Sequence, residues 1–296
     1  MKKAIVVEGG AMRGIFAAGV LDKFMEESYY PYDFAVGVSA GATNLSTYVS
    51  RMPGLSKTII TQYATKREFY SPLRFIKGGH MTDVHWLWHY SKKALDIPTP
   101  GDKAIMPLYV GVTNVDNGQC EYMKATIDNI DDLMVASCAL PTVFRDQPLI
   151  NGICYVDGGV ADAIPVKQAY ELGARDITVV LSQPYGFTKP EVKSPWLLEK
   201  MYGTQPALLK TMLARPHIYN ETLEFLKHPP ADCQINLIAP DEGFCVKRLT
   251  MDKKKLLKGY ALGRRMARRY IKNEDDVLGR TDSRYLLDNV ALSAPN

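Results

Sequence analysis

Phe34-Ala35-Val36-Gly37-Val38-Ser39-Ala40-Gly41-Ala42-Thr43-Asn44-Leu45 is a short apolar run, then a G-x-S-x-G, then the start of a helix-forming segment that continues to Val49. The apolar run predicts a buried strand. A helix that begins at once forces a sharp turn, and that turn projects Ser39 from the sheet edge. Gly37 and Gly41 lack the Cβ atoms that would crowd so tight a bend. The helix dipole and its first amides then lie near any negative charge that develops at Ser39. The pattern points to a nucleophile. The competing reading is a glycine turn whose serine only caps the helix.

The flanking sequence repeats the same grammar. Ala4 to Val7 reads as a strand, Gly9-Gly10-Ala11-Met12-Arg13-Gly14 as a tight turn, and Phe16, Val20, Leu21 and Phe24 fall at helical spacing. Leu108 to Val112, Ile177 to Leu181 and Ile235 to Ile238 read as further strands, and Pro165 to Gly173 as a helix. Strands alternating with helices predict an α/β fold with a mainly parallel sheet. The Gly-rich turn has three readings: a dinucleotide loop, a plain turn, or an oxyanion hole built from backbone amides. The dinucleotide reading is weak, because no regular unit leads on to an acidic ribose ligand. Two stretches look less regular. Arg51 to Asp102 is rich in aromatics, and Gln183 to Asp232 carries seven prolines, which predicts loops with short helical pieces.

The chain has 296 residues, 46% hydrophobic and 23% charged, which disfavours disorder, collagen and a coiled-coil rod. No apolar run approaches the ~18 residues of a membrane span, and the run ending at Glu8 is too short for a signal peptide. Five cysteines without a C-x-x-C pair suggest reduced thiols in a cytoplasmic protein. The net charge of +4 conceals an asymmetry. Residues 246–272 hold 11 basic residues and one acidic one, which leaves the remainder at −6. Nucleic acid and an anionic membrane both enter as candidate partners.

Asp157-Gly158-Gly159 taken alone is usually a turn. A serine hydrolase also needs a base, which draws attention to His80, His85, His89, His217 and His228. None follows a clear late strand, where an α/β-hydrolase would place its histidine. His85 and His89 stand at i, i+4, a spacing compatible with a metal, yet their aromatic flanks favour packing.

The G-G-x-x-R-G turn, the G-x-S-x-G elbow and the later Asp-Gly-Gly together resemble the patatin-like phospholipases. The stretch Ala136 to Phe144 upstream of Tyr155-Val156-Asp157 is similar to the family's segment before its aspartate, and the resemblance covers at least Lys3 to Leu181. It implies a three-layer α/β/α fold and lipid acyl-ester hydrolysis by a Ser–Asp dyad without histidine, metal or other cofactor. Carried over, Ser39 is the nucleophile and Asp157 its base. Gly9, Gly10 and Ala11 supply oxyanion amides, with Arg13, Gly14, Gly37, Gly41, Gly158 and Gly159 in supporting positions. Ala11 departs from the family's usual third glycine. Arg13 reads as a brace for the turn, with phosphate contact as the alternative.

The expected organisation is one catalytic domain over residues 1–275, with a motif-bearing core over 3–181. A Pro-rich lid over 183–232, a last strand and basic helix over 233–272, and a tail over 276–296 complete it. Trp86-Leu87-Trp88 and Pro195 to Tyr202 are candidate lid or channel stretches. On a helix over 253–272, Leu256, Tyr260, Gly263, Ala267, Tyr270 and Ile271 share one stripe, opposite Lys254, Lys258, Arg264, Arg265, Arg268, Arg269 and Lys272. That cationic face is either a solvated surface or a contact for anionic membrane. Nucleic acid drops away for want of any accompanying module. The expectation is a phospholipase A-like or lysophospholipase-like enzyme, cytoplasmic or membrane-peripheral. An esterase or acyltransferase on non-lipid acyl groups, and a non-catalytic lipid-binding relative, are the rivals.

Overall fold

The computed structural model describes residues 1–95 and 104–277. Its elements run β1 (Lys2–Val7), α1 (Gly14–Glu26), β2 (Phe34–Val38), α2 (Ala40–Val49), α3 (Leu55–Thr58), α4 (Pro72–Ile76), α5 (Val84–Ala94), β3 (Leu108–Asn114), β4 (Cys120–Lys124), α6 (Ile130–Cys138), β5 (Leu149–Ile150), β6 (Ile153–Asp157), α7 (Val166–Glu171), β7 (Ala174–Val180), α8 (Pro195–Tyr202), α9 (Pro206–Lys227), β8 (Gln234–Ile238) and α10 (Lys253–Val277). The strand order is β5-β6-β3-β2-β1-β7-β8, with β4 also on β3. The β8-β7-β1-β2-β3 run is parallel throughout, as the strand–helix alternation predicts.

β1 and β2 sit centrally and are apolar on both faces, which is what a sheet covered on both sides demands. Alternate residues of β1 feed two cores. Ile5 and Val7 pack with Phe16, Leu21 and Phe24 of α1, Leu45 and Tyr48 of α2, Leu133 of α6 and Tyr270 of α10. Ala4 and Val6 pack with Val166 and Ala169 of α7 and with Tyr219 and Leu226 of α9. The result is three layers, α/β/α, with a mainly parallel sheet in the middle.

Two sequence expectations change here. The Pro-rich stretch is not mainly loop, because it contains the 22-residue α9, with Pro206 in its first turn and Pro216 inside. Pro216 removes one helical N–H, but Leu208, Met212, Tyr219 and Leu226 recur at helical spacing and are buried. Tertiary burial along that stripe outweighs the local break. The short antiparallel strands β4, β5 and β6 were also not expected. β4 and β6 both pair with residues 112 and 113 of β3, so they occupy opposite edges of it. β2 stops pairing at Gly111, and β6 takes over the same edge from Val112, with Asp157 at the junction. The end of β2 and the end of β6 therefore abut.

α10 lies along α1 at near-backbone distance. A Cβ on Gly19 would meet the Tyr260 carbonyl oxygen at 2.1 Å, and one on Gly263 would meet that of Phe16 at 2.0 Å. Helix 253–272 buries the stripe expected of it, with Leu256, Ala267 and Tyr270 inside. The expected tail over 276–296 lies outside the described residues beyond Val277, where α10 ends.

Candidate active site

Ser39 stands between β2 and α2 with φ 53° and ψ −132°. That backbone is unfavourable for a residue with a Cβ, costing on the order of 1–3 kcal/mol, and it persists because its surroundings over-determine it. The Ser39 N–H donates to Ser137 Oγ at 2.8 Å, and Ser137 Oγ–H donates to the Gly111 carbonyl at 2.8 Å. Gly41, in the first turn of α2, lets the helix close on β1, since a Cβ there would meet the Val7 carbonyl oxygen at 2.2 Å. Asn44 Nδ2 donates to the Gly14 carbonyl at 2.7 Å and ties α2 to the Gly-rich turn.

The abutting strand ends bring Ser39 Oγ to 2.7 Å from Asp157 Oδ2, across 118 positions of sequence. Asp157 Oδ1 accepts the Gly159 N–H at 2.8 Å, so both carboxylate oxygens are engaged. Both residues are buried, Ser39 at 8% exposure and Asp157 at 5%. Burial raises the Asp157 pKa; the Ser39 hydrogen bond opposes it most, followed by the Arg215 charge, the Gly159 amide and the Arg248 charge. No histidine among the described residues bonds to either group. His80 stacks on Phe144, His85 stacks on His89, and His217 faces Glu221.

The Gly-rich turn faces the same cavity. Gly9, Gly10 and Ala11 line it beside Ser39, but the Gly9 N–H already donates to the Ala163 carbonyl at 3.1 Å. The Gly10 and Ala11 N–H groups, by contrast, have no hydrogen-bond partner among the described residues. Ala11 adopts φ 49°, the left-handed region, at a cost of about 1 kcal/mol relative to glycine. Arg13 turns away from the cavity. It is 7% exposed, its Nε and Nη2 donate to Ser182 Oγ at 3.2 and 3.0 Å, and Nη2 lies 3.8 Å from Glu8 Oε1. Glu8 in turn accepts from the Ser182 N–H at 2.5 Å and from the Tyr219 hydroxyl at 3.1 Å. Arg13 thus braces the turn. Gly14 opens α1, Gly37 lies within β2 one residue before its end, and Gly158 and Gly159 form the turn after β6.

The cavity measures about 320 Å³. Its wall is mostly apolar, with Met52, Leu55, Ile59, Ile60, Phe69, Leu87, Trp88 and Met134, while Thr47, Ser56, Ser91 and Lys92 also reach it. Leu87 and Trp88 of the first aromatic stretch line it. The second stretch, on α8, does not; Trp196 there is 64% exposed. Cys138 also lines the cavity, and burial pushes its thiol well up, so it stays protonated near neutrality.

Two residues of this site were not singled out from the sequence. Arg215 of α9 donates from Nε to the Gly159 carbonyl at 2.7 Å and reaches the cavity, as does Arg248 from the loop before α10. The available signal was Arg215's place on the helical stripe between Met212 and Tyr219. It was hidden because Pro216 suggested a loop.

Comparison with known proteins adds the following. A family model described as Patatin-like phospholipase matches residues 5–170, and a second, a domain of unknown function (DUF6363), matches residues 205–279. The uncharacterized protein YjjU of Escherichia coli (strain K12) is 35% identical over 297 residues, covering 97% of this chain and 77% of its own. The crystal structure of VipD from Legionella pneumophila aligns with a TM-score of 0.43 at 14% identity, over 90% of this chain and 67% of that one.

Proposed function

This chain belongs to the patatin-like phospholipase family, and we propose that it is a serine lipid acyl hydrolase of phospholipase A-like or lysophospholipase-like type. The observation that carries the reading is the 2.7 Å contact of Ser39 Oγ with buried Asp157, set at one end of an apolar cavity. Ser39 Oγ attacks the ester carbonyl as its proton passes to Asp157. The tetrahedral oxyanion is met by the Gly10 and Ala11 amides. As the intermediate collapses, Asp157 returns the proton to the leaving alcohol oxygen. Water then attacks the acyl-enzyme, with Asp157 taking its proton, and Ser39 Oγ leaves with that proton as the free fatty acid departs. A carboxylate is a weak base, and the burial that raises its pKa improves it for this task. The apolar wall from Met52 to Trp88 suits an acyl chain, which favours a lipid over a small acyl ester.

The test is hydrolysis of a lysophospholipid and a monoacylglycerol by wild type, Ser39→Ala and Asp157→Asn. Both variants are expected to lose at least a hundredfold in kcat/KM. Full activity in Ser39→Ala overturns the mechanism. The surface reading is part of the same proposal. Lys254, Lys258, Arg268, Arg269 and Lys272 are exposed on α10, which begins two residues after Met251 of the cavity wall. That cationic stripe holds the enzyme at an anionic lipid surface.

A further inference from the structure

The catalytic end of the cavity carries more positive charge than its own carboxylates balance. Arg13 is matched by Glu8, leaving Arg215 and Arg248 to face Asp157. Arg215 spends one N–H on the Gly159 carbonyl. Among the described residues its terminal nitrogens, and the whole Arg248 guanidinium, have no hydrogen bond or ion pair. The crowding is felt by the neighbours. Burial first, and then the charge of Arg248, bring Arg215 down to about 10, while burial, Arg215 and Arg248 bring Lys189 down to about 6. Transfer of the Ser39 proton to Asp157 leaves the sum of charge unchanged, because the negative charge passes to the substrate oxyanion. Two guanidiniums, unsatisfied and turned into a cavity beside a nucleophile, match the oxygens of a phosphate ester.

We propose that Arg215 and Arg248 form a phosphate-ester subsite that holds the head-group side of the substrate while its acyl chain fills the apolar wall. Both arginines fall in the region of unknown function, residues 205–279, so this assigns that region a part in substrate recognition. The inference rests on the acyl hydrolase reading and deepens it: the preferred substrate is a phosphate-bearing lipid, not a neutral glyceride. Arg248 is the better position to test, since Arg215 also supports the turn after Asp157.

The experiment compares kcat/KM for lysophosphatidylglycerol and for a monoacylglycerol of the same chain, in mixed micelles of fixed composition. Wild type is expected to favour the phosphate-bearing ester, and Arg248→Gln to reduce that preference by about tenfold or more, through KM, with Arg248→Lys recovering part. An unchanged preference in Arg248→Gln overturns the subsite, as does an equal loss on both esters, which would mark a structural role. Inorganic phosphate is expected to compete with the monoacylglycerol in wild type and less in Arg248→Gln. Competition without any effect on the lipid preference would mean a free-phosphate site and overturn the head-group assignment. If neither ester is turned over by wild type, the hydrolase reading fails by itself. Calorimetric binding of lysophosphatidylglycerol against monoacylglycerol to Ser39→Ala and to Ser39→Ala/Arg248→Gln still reads the subsite, and equal affinities overturn it.

Discussion

Asp157 couples stability and rate in opposite senses. Its pKa is raised in the fold, chiefly by burial, so ionising it costs more in the native state than in the unfolded chain. That cost is absent below the ordinary carboxylate pKa. It develops as pH rises from there through the raised native value, and is then constant. Asp157→Asn carries no such cost. The variant is therefore expected to melt above wild type at pH 8, with the difference narrowing as pH falls. A difference that widens toward low pH would contradict this account. In the proposed mechanism Asp157 acts as a carboxylate, so wild-type kcat/KM on a neutral ester is expected to fall as pH drops through the same raised pKa.

At the scale of elements, the site depends on two close approaches. One is the junction of β2 and β6 on the shared edge of β3, which places Asp157 against Ser39. The other is the α1–α10 contact, where Gly19 and Gly263 face carbonyls across the interface. α1 follows directly from the Gly-rich turn, so a shift of α10 is transmitted to it. Gly263→Ala puts a methyl group against the Phe16 carbonyl and is expected to cost about 1–3 kcal/mol, read from denaturant midpoints. Gly259→Ala is the milder control, because its nearest neighbours are side-chain atoms at 3.0 Å.

At the scale of the whole molecule, the charge asymmetry takes a more specific form. Arg264 is not a free surface cation as the helix face alone suggested; it forms a bidentate pair with Glu26, and Arg265 pairs with Asp241 at 3.1 Å. Lys254, Lys258, Arg268, Arg269 and Lys272 have no ion pair among the described residues and run along one line of α10. No helix of the described residues is long and apolar enough to cross a membrane. Glutamine at Lys254, Lys258, Arg268 and Arg269 is expected to weaken binding to phosphatidylglycerol-containing vesicles at least tenfold, at up to ~1 kcal/mol per cation. Binding to phosphatidylcholine vesicles should stay as it was. Equal binding to both vesicle types by wild type would return the stripe to an ordinary solvated face.

By itself the sequence determined the parallel α/β core and the family. Strand runs, glycine turns and the G-x-S-x-G are local patterns, and each carries its meaning within a few residues. It also named Ser39 and Asp157, through motifs that need no knowledge of where the chain goes between them. Only the tertiary structure decided that β6 follows β2 on one edge of β3, because strands as short as β4 and β6 take their pairing from their neighbours, not from their own composition. Only it decided that Pro216 lies inside a long helix, since that helix is held by burial of Leu208, Met212, Tyr219 and Leu226. The same packing brought Arg215 and Arg248 to the cavity and withdrew the Gly9 amide from it. Those outcomes depend on contacts between residues far apart in the chain, and local spacing does not encode them.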